Sequence, residues 1–160
     1  MAERQIELAP AQAGDMEALR VLFREYAGWL QVDYCLKDFE AELAGLPGDC
    51  VPPDGGLWIA RVDGAAAGCV ALKPLSAGAS EMKRLWVRAP YRGQQLGRRL
   101  AEAALAGARD GGRCCVVLET LDFMTAAQAL YADLGFREVP KGEAPANVRR
   151  LRCDLAAAAA

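Results

Sequence analysis

The sequence contains no histidine. That absence excludes every Ser-His-Asp and Cys-His nucleophile. Carboxylates, amines, tyrosines, thiolates and water remain as proton acceptors. It also removes the usual zinc partner of cysteine. The six cysteines, Cys35, Cys50, Cys69, Cys114, Cys115 and Cys153, match no zinc spacing, so no metal is expected. A basic excess is missing too. At a net charge of -2, and with no aromatic stacking surface visible among 7% aromatic residues, a nucleic-acid partner is not expected. No apolar run is long enough to span a bilayer, so no membrane partner is expected either. The opening "MAERQIELAP" lacks the apolar core of a secretion signal. These absences point to a cytoplasmic chain whose six cysteines are reduced and act as small buried hydrophobes.

What is present suits one folded unit. With 160 residues, 53% of them hydrophobic and 25% charged, the chain can bury a sizeable core. A single domain over residues 1–155 is expected, followed by an alanine-rich tail over 156–160. "RQIELA" reads as a strand. Met16, Leu19, Leu22, Phe23, Tyr26 and Leu30 then recur on one helical face, with Asp15 as the candidate cap. Phe39, Leu43 and Leu46 mark a shorter helix ending at "LPG". "LWIARV" and "AGCVALKPL" read as strands joined by a "DGAA" turn, and "EMKRLWV" as a third. A helix from Leu96 to Ala108 leads to the buried strand "CCVVLET". A helix from Phe123 to Leu134 follows, with Phe123, Ala127, Leu130, Tyr131 and Leu134 on its inner face. Strands beginning at "GF" and in "NVRRLRCDL" close the chain. This order predicts an α/β fold with a mixed central sheet of about six to seven strands flanked by about four helices.

The stretch "RGQQLGRRL", Arg92 to Leu100, joins a strand to a helix through glycines. The first amides of a helix lack partners, and the helix dipole favours negative charge at that end. Glycine permits close approach of a phosphate, and arginine adds paired donors. Lys83, Arg84, Arg88, Arg92, Arg98 and Arg99 crowd the same window, which suits a small anion better than a polyanion. Neither G-x-x-x-x-G-K-[ST] nor G-x-G-x-x-G is present.

"VRAPYRGQQLGRRL" resembles the acetyl-CoA signature R/Q-x-x-G-x-G/A of the GCN5-related N-acetyltransferases, with Arg92, Gly93, Gln94, Gln95, Leu96 and Gly97 in its six positions. "LYADLGF", Leu130 to Phe136, resembles the helix-to-strand motif of the same family. "CCVVLET" lies between the two, as the family order requires. The resemblance runs from Gly55 to Val139, and the segment from "REYAGWL" to "LPG" resembles an uncharacterised bacterial subgroup. Gln95 stands where the family most often has glycine, and Met124 where many members have asparagine.

The resemblance implies metal-free, direct transfer of an acetyl group from acetyl-CoA to a primary amine of a small molecule or peptide. It implies that the amides of Gln94 to Arg98, with Arg92 and Gly93, cradle the pyrophosphate. It implies that the strand at Leu85, Trp86 and Val87 pairs with the pantetheine arm, in a splay against "CCVVLET". A backbone N–H of that strand would polarise the thioester carbonyl. Tyr131 takes the place of the family's acid, and Glu81 that of a base acting directly or through water. Asp33, Asp38, Glu40 and Glu42 fall where members build the acceptor pocket. Many members are homodimers. The second reading that the sequence admits is an acyl-CoA-binding regulatory module without turnover.

Overall fold

A computed structural model of the protein describes residues 3–30, 36 and 38–155; Asp33, Cys35 and the tail 156–160 lie outside the described residues. The elements follow the expected order. They are β1 (Ile6–Pro10), α1 (Met16–Leu30), α2 (Phe39–Ala44), β2 (Gly56–Val62), β3 (Ala65–Ser76), β4 (Ala79–Val87), α3 (Leu96–Asp110), β5 (Cys115–Leu121), α4 (Thr125–Asp133), β6 (Arg137–Val139) and β7 (Val148–Asp154). The seven strands form one sheet in the order β1-β2-β3-β4-β5-β7-β6. Every neighbouring pair is antiparallel except β4 and β5, which run parallel.

Both faces of the sheet are covered because both helical stripes are apolar. α1 buries Leu19, Leu22, Phe23 and Leu30. The first three join Leu43, Ile59, Cys69 and Ala71 in a core under α1 and α2. α3 buries Leu96, Leu100, Ala101, Ala104, Leu105 and Ala108 on the opposite face. They pack with Trp58, Val70, Leu72, Val116, Leu118 and Tyr131. Gly107 is required there, since a Cβ would fall 2.5 Å from the Trp58 ring.

Two irregularities of β4 shape the site. β4 and β5 pair only over Ala79–Glu81 and Cys115–Val117 and then diverge. Arg113 fastens the closed end. Its Nε donates to Ser80 Oγ at 2.9 Å, and its guanidinium donates to the carbonyls of Ser76 (2.9 Å) and Ala79 (2.8 Å) and to the Asp54 carboxylate (3.1 Å). β4 also carries a bulge. The register passes from Ala71 opposite Lys83 to Cys69 opposite Trp86, so β4 holds one residue more than β3 over that stretch. Arg84 takes up the irregularity at φ 59°.

Three local expectations are corrected. Asp15 does not cap α1 from outside. It closes a 3₁₀ turn, its carboxylate accepts from the Gln12 N–H at 2.8 Å, and it pairs with Arg61 at 2.7 Å. These contacts hold its pKa below the usual carboxylate value, the Gln12 N–H first. Phe123 precedes α4 rather than lining its inner face, and is 58% exposed. The cysteines are not uniformly buried: Cys69, Cys115 and Cys153 are, whereas Cys50 is half-buried and Cys114 exposed.

Candidate active site

The divergence of β4 and β5 opens a cleft of about 1090 Å³. Glu81 to Val87 line one wall, Leu118 to Thr120 the other, and α4 from Thr125 to Tyr131 borders it. The start of α3 borders it too. After Val87 the chain makes a 3₁₀ turn at Ala89–Tyr91 and then passes through Arg92, Gly93, Gln94 and Gln95. Gly93 has φ 83° and Gln95 φ 65°. The second value explains the family preference for glycine at this position: a side chain in the left-handed region costs about 1 kcal/mol. The Gln95 carbonyl accepts from Arg99 N–H at 3.0 Å, which leaves the amides of Leu96, Gly97 and Arg98 without helical partners.

The arginine window does not converge on this turn. Arg84 makes a bidentate pair with Glu42, both contacts at 3.0 Å, beneath the rings of Tyr26 and Phe39. Arg88 pairs with Glu25 at 2.8 Å, and Arg98 with Asp133 at 3.0 Å. Arg92 donates to the Val87 carbonyl at 2.9 Å and lies 4.9 Å over the Trp86 ring. Strand alternation and the bulge direct Lys83 and Arg84 to the α1/α2 face, away from the start of α3. Only Arg92, Arg98 and Arg99 remain at the turn.

The two candidate proton-transfer residues lie on opposite faces of the sheet. Tyr131 is buried with the α3 core and packs edge-on to Phe136 at 5.7 Å. Burial pushes its phenol pKa up, so it stays protonated at neutral pH. Glu81 is opposite Val117 at the apex of the divergence, and it is half-buried. Burial raises its pKa, Lys83 counteracts this, and Glu119 adds to the rise. Its face follows from register: Lys83, two residues on, is opposite Ala71 in the α1/α2 core. Glu119 lies two residues beyond Val117 on β5, so it shares that face, 3.6 Å from Arg150. Sequence reasoning passed over Glu119; the signal was a carboxylate inside an otherwise apolar strand.

Leu85 and Val87 pack toward α3, whereas Trp86 packs toward α1 and donates to Glu25 at 3.3 Å. Among the acids placed near the acceptor region, Glu42 is engaged by Arg84, and Asp38 and Glu40 are exposed. An aromatic surface, not foreseen from sequence, does form. Trp29 contacts Trp86 at 5.5 Å and Phe123 at 5.9 Å, and Tyr26 completes the group. Residues remote in sequence converge here because α1 ends over the wide end of the cleft. No helix among the described residues is long and apolar enough to cross a membrane.

Comparison with known proteins agrees with this architecture. The profile of the acetyltransferase (GNAT) family matches residues 16–136. An uncharacterised N-acetyltransferase of Schizosaccharomyces pombe is 35% identical over 125 residues, covering 77% of each chain. A GNAT-family acetyltransferase of Staphylococcus aureus superposes with a TM-score of 0.79 at 20% identity, covering 95% of this chain and 100% of that one. The PaiA N-acetyltransferase of Thermoplasma acidophilum, solved in complex with coenzyme A, superposes with a TM-score of 0.70 at 18% identity, covering 94% and 99%. With the family profile spanning three quarters of the sequence and the parallel β4–β5 divergence in place, the chain belongs to the acetyltransferase (GNAT) family.

Proposed function

We propose that the protein is a cytoplasmic enzyme that moves an acetyl group from acetyl-CoA directly to a primary amine. The observation that carries this reading is the divergence of β4 from β5, which leaves two strand edges unpaired between the amides of α3 and a half-buried carboxylate. The residues present fit the cosubstrate. A Cβ at Gly97 would meet nothing nearer than a Leu130 methyl at 3.9 Å, so internal packing does not demand glycine there. The bare backbone leaves space against the helix amides. Arg92, Gly93, Gln94, Gln95, Leu96, Gly97 and Arg98 hold the pyrophosphate, and the β4 backbone at Leu85, Trp86 and Val87 pairs with the pantetheine arm as an added strand would.

Acetyl-CoA supplies an activated thioester when bound. Glu81 accepts the proton that the ammonium must lose before its lone pair can attack, and the second N–H proton leaves to solvent after the N–C bond has formed. A β4 backbone N–H polarises the thioester carbonyl. Tyr131 gives its proton to the departing sulfur and recovers one from solvent. The opposed faces of these two side chains let the amine enter from one side while the thiol leaves by the other.

Calorimetric titration with acetyl-CoA, with ATP and NAD as controls, followed by thiol release over an amine panel, tests this. Selective binding with turnover is expected. Binding without turnover on any amine would favour a regulatory acyl-CoA module, and absence of binding would overturn the cofactor site.

A further inference from the structure

Glu81 and Lys83 leave the same face of β4 two residues apart, and both line the cleft on its α1/α2 side. Both are half-buried. Their cationic and anionic neighbours are engaged elsewhere: Arg150 with Glu119, Arg84 with Glu42, and Arg88 with Glu25. Glu81 and Lys83 form no salt bridge, either with each other or with another described residue. Lys73 is opposite Glu81 on β3 but is exposed and stands outside the cleft. The acceptor side of the cleft therefore offers, on one face of β4, a carboxylate and an ammonium that are close enough to feel each other but neither of which is held in a salt bridge.

That pair constrains the acceptor. A substrate carrying only an ammonium would meet Glu81 favourably but would bring its charge beside Lys83, and like charges in a partly desolvated cleft repel. A substrate that also carries a carboxylate turns that repulsion into a charge-assisted hydrogen bond. Resting on the reading of the cleft as an amine-acetylating site, we propose that the acceptor is an amino acid-like zwitterion, with its amine at Glu81 and its carboxylate on the Lys83 ammonium. The acetyl C–S bond breaks as the N–C bond forms. One ammonium proton passes to Glu81 before attack, the second N–H proton leaves to solvent once the N–C bond has formed, the sulfur takes the Tyr131 proton, which solvent restores, and the carboxylate emerges unchanged.

The test pairs amino acids with their own carboxamides, using the full chain and acetyl-CoA and reading thiol release. The wild-type kcat/KM is expected to favour the free carboxylate by about tenfold or more. Lys83→Met is expected to erase that ratio, and Lys83→Arg to keep most of it. Calorimetric binding of the same amino acids to enzyme saturated with coenzyme A gives a second readout. Affinity for the carboxylate form should fall about tenfold in Lys83→Met. The wild-type comparison of acid with carboxamide stands even if a variant fails to fold. Equal wild-type rates on acid and carboxamide, or a preference that survives Lys83→Met, would overturn the role of Lys83 and leave amine acetylation intact. Acetylation of no amine would overturn both.

Discussion

In the proposed mechanism Tyr131 and Glu81 divide the proton traffic, and each role can be isolated by a substitution at one atom. Tyr131→Phe removes only the hydroxyl and keeps the ring against Phe136. Turnover should fall roughly 10²-fold with little change in acetyl-CoA affinity, compared by steady-state kinetics and calorimetry. Full turnover in this variant would remove Tyr131 from the acid role. Glu81 acts as a base only when ionised, and burial raises its pKa. The limb of kcat that rises with pH should therefore be centred above the ordinary carboxylate range. The groups facing Glu81 set its position: Lys83, Lys73 and Arg150 pull it down, and Glu119 pushes it up. Glu81→Gln should flatten the limb and lower kcat by roughly 10²-fold or more. A pH–rate profile unchanged by that substitution would dismiss Glu81. The place of Tyr131 on the cleft wall was legible in the sequence because "LYADLGF" carries it at a fixed offset. Glu119 was not, because its importance comes from strand register, which places it on the face of Glu81 and which no local motif encodes.

In the proposed site the turn into α3 meets the pyrophosphate first through its backbone amides. Gly97→Glu would place a carboxylate near the Leu96–Arg98 amides, and its Cβ would meet only a Leu130 methyl. The variant should fold normally and lose acetyl-CoA binding by more than about 10²-fold, measured by calorimetry beside a thermal melt. Undiminished affinity would show that the phosphates bind elsewhere. The elements themselves were readable because apolar periods of 3.6 and 2 survive in a single sequence. The destinations of charged side chains were not. Arg84 and Arg88 look like neighbours of the phosphate turn in one dimension, but strand alternation and the bulge turn them to Glu42 and Glu25 on the far face. Phe123 falls outside its expected helix for a related reason, since helical spacing carries on across a boundary that the backbone sets at Thr125.

At the scale of the whole molecule, the sheet is two smaller sheets, β1-β2-β3-β4 and β5-β7-β6, joined over three residue pairs and by Arg113. Arg113→Ala removes donors to two carbonyls, Ser80 and Asp54 at that join. It should cost about 2–3 kcal/mol of stability by chemical denaturation. The loss should be larger when acetyl-CoA is present, because a loosened join weakens a ligand held by both halves and forfeits part of its stabilisation. An equal loss with and without acetyl-CoA would mean that the closed end and the cleft are energetically independent.

The placement of the three tryptophans has an optical consequence. Trp58 is buried beneath α3 against Gly107, with little of it left to solvent. Trp29 and Trp86 both stand on the cleft wall, in contact with each other. Ultraviolet emission from this chain is thus the sum of one steady, blue-shifted emitter and two whose surroundings change whenever water leaves the cleft. The protein carries its own dye, with an internal reference, and filling of the site can be followed in the fluorimeter without a label.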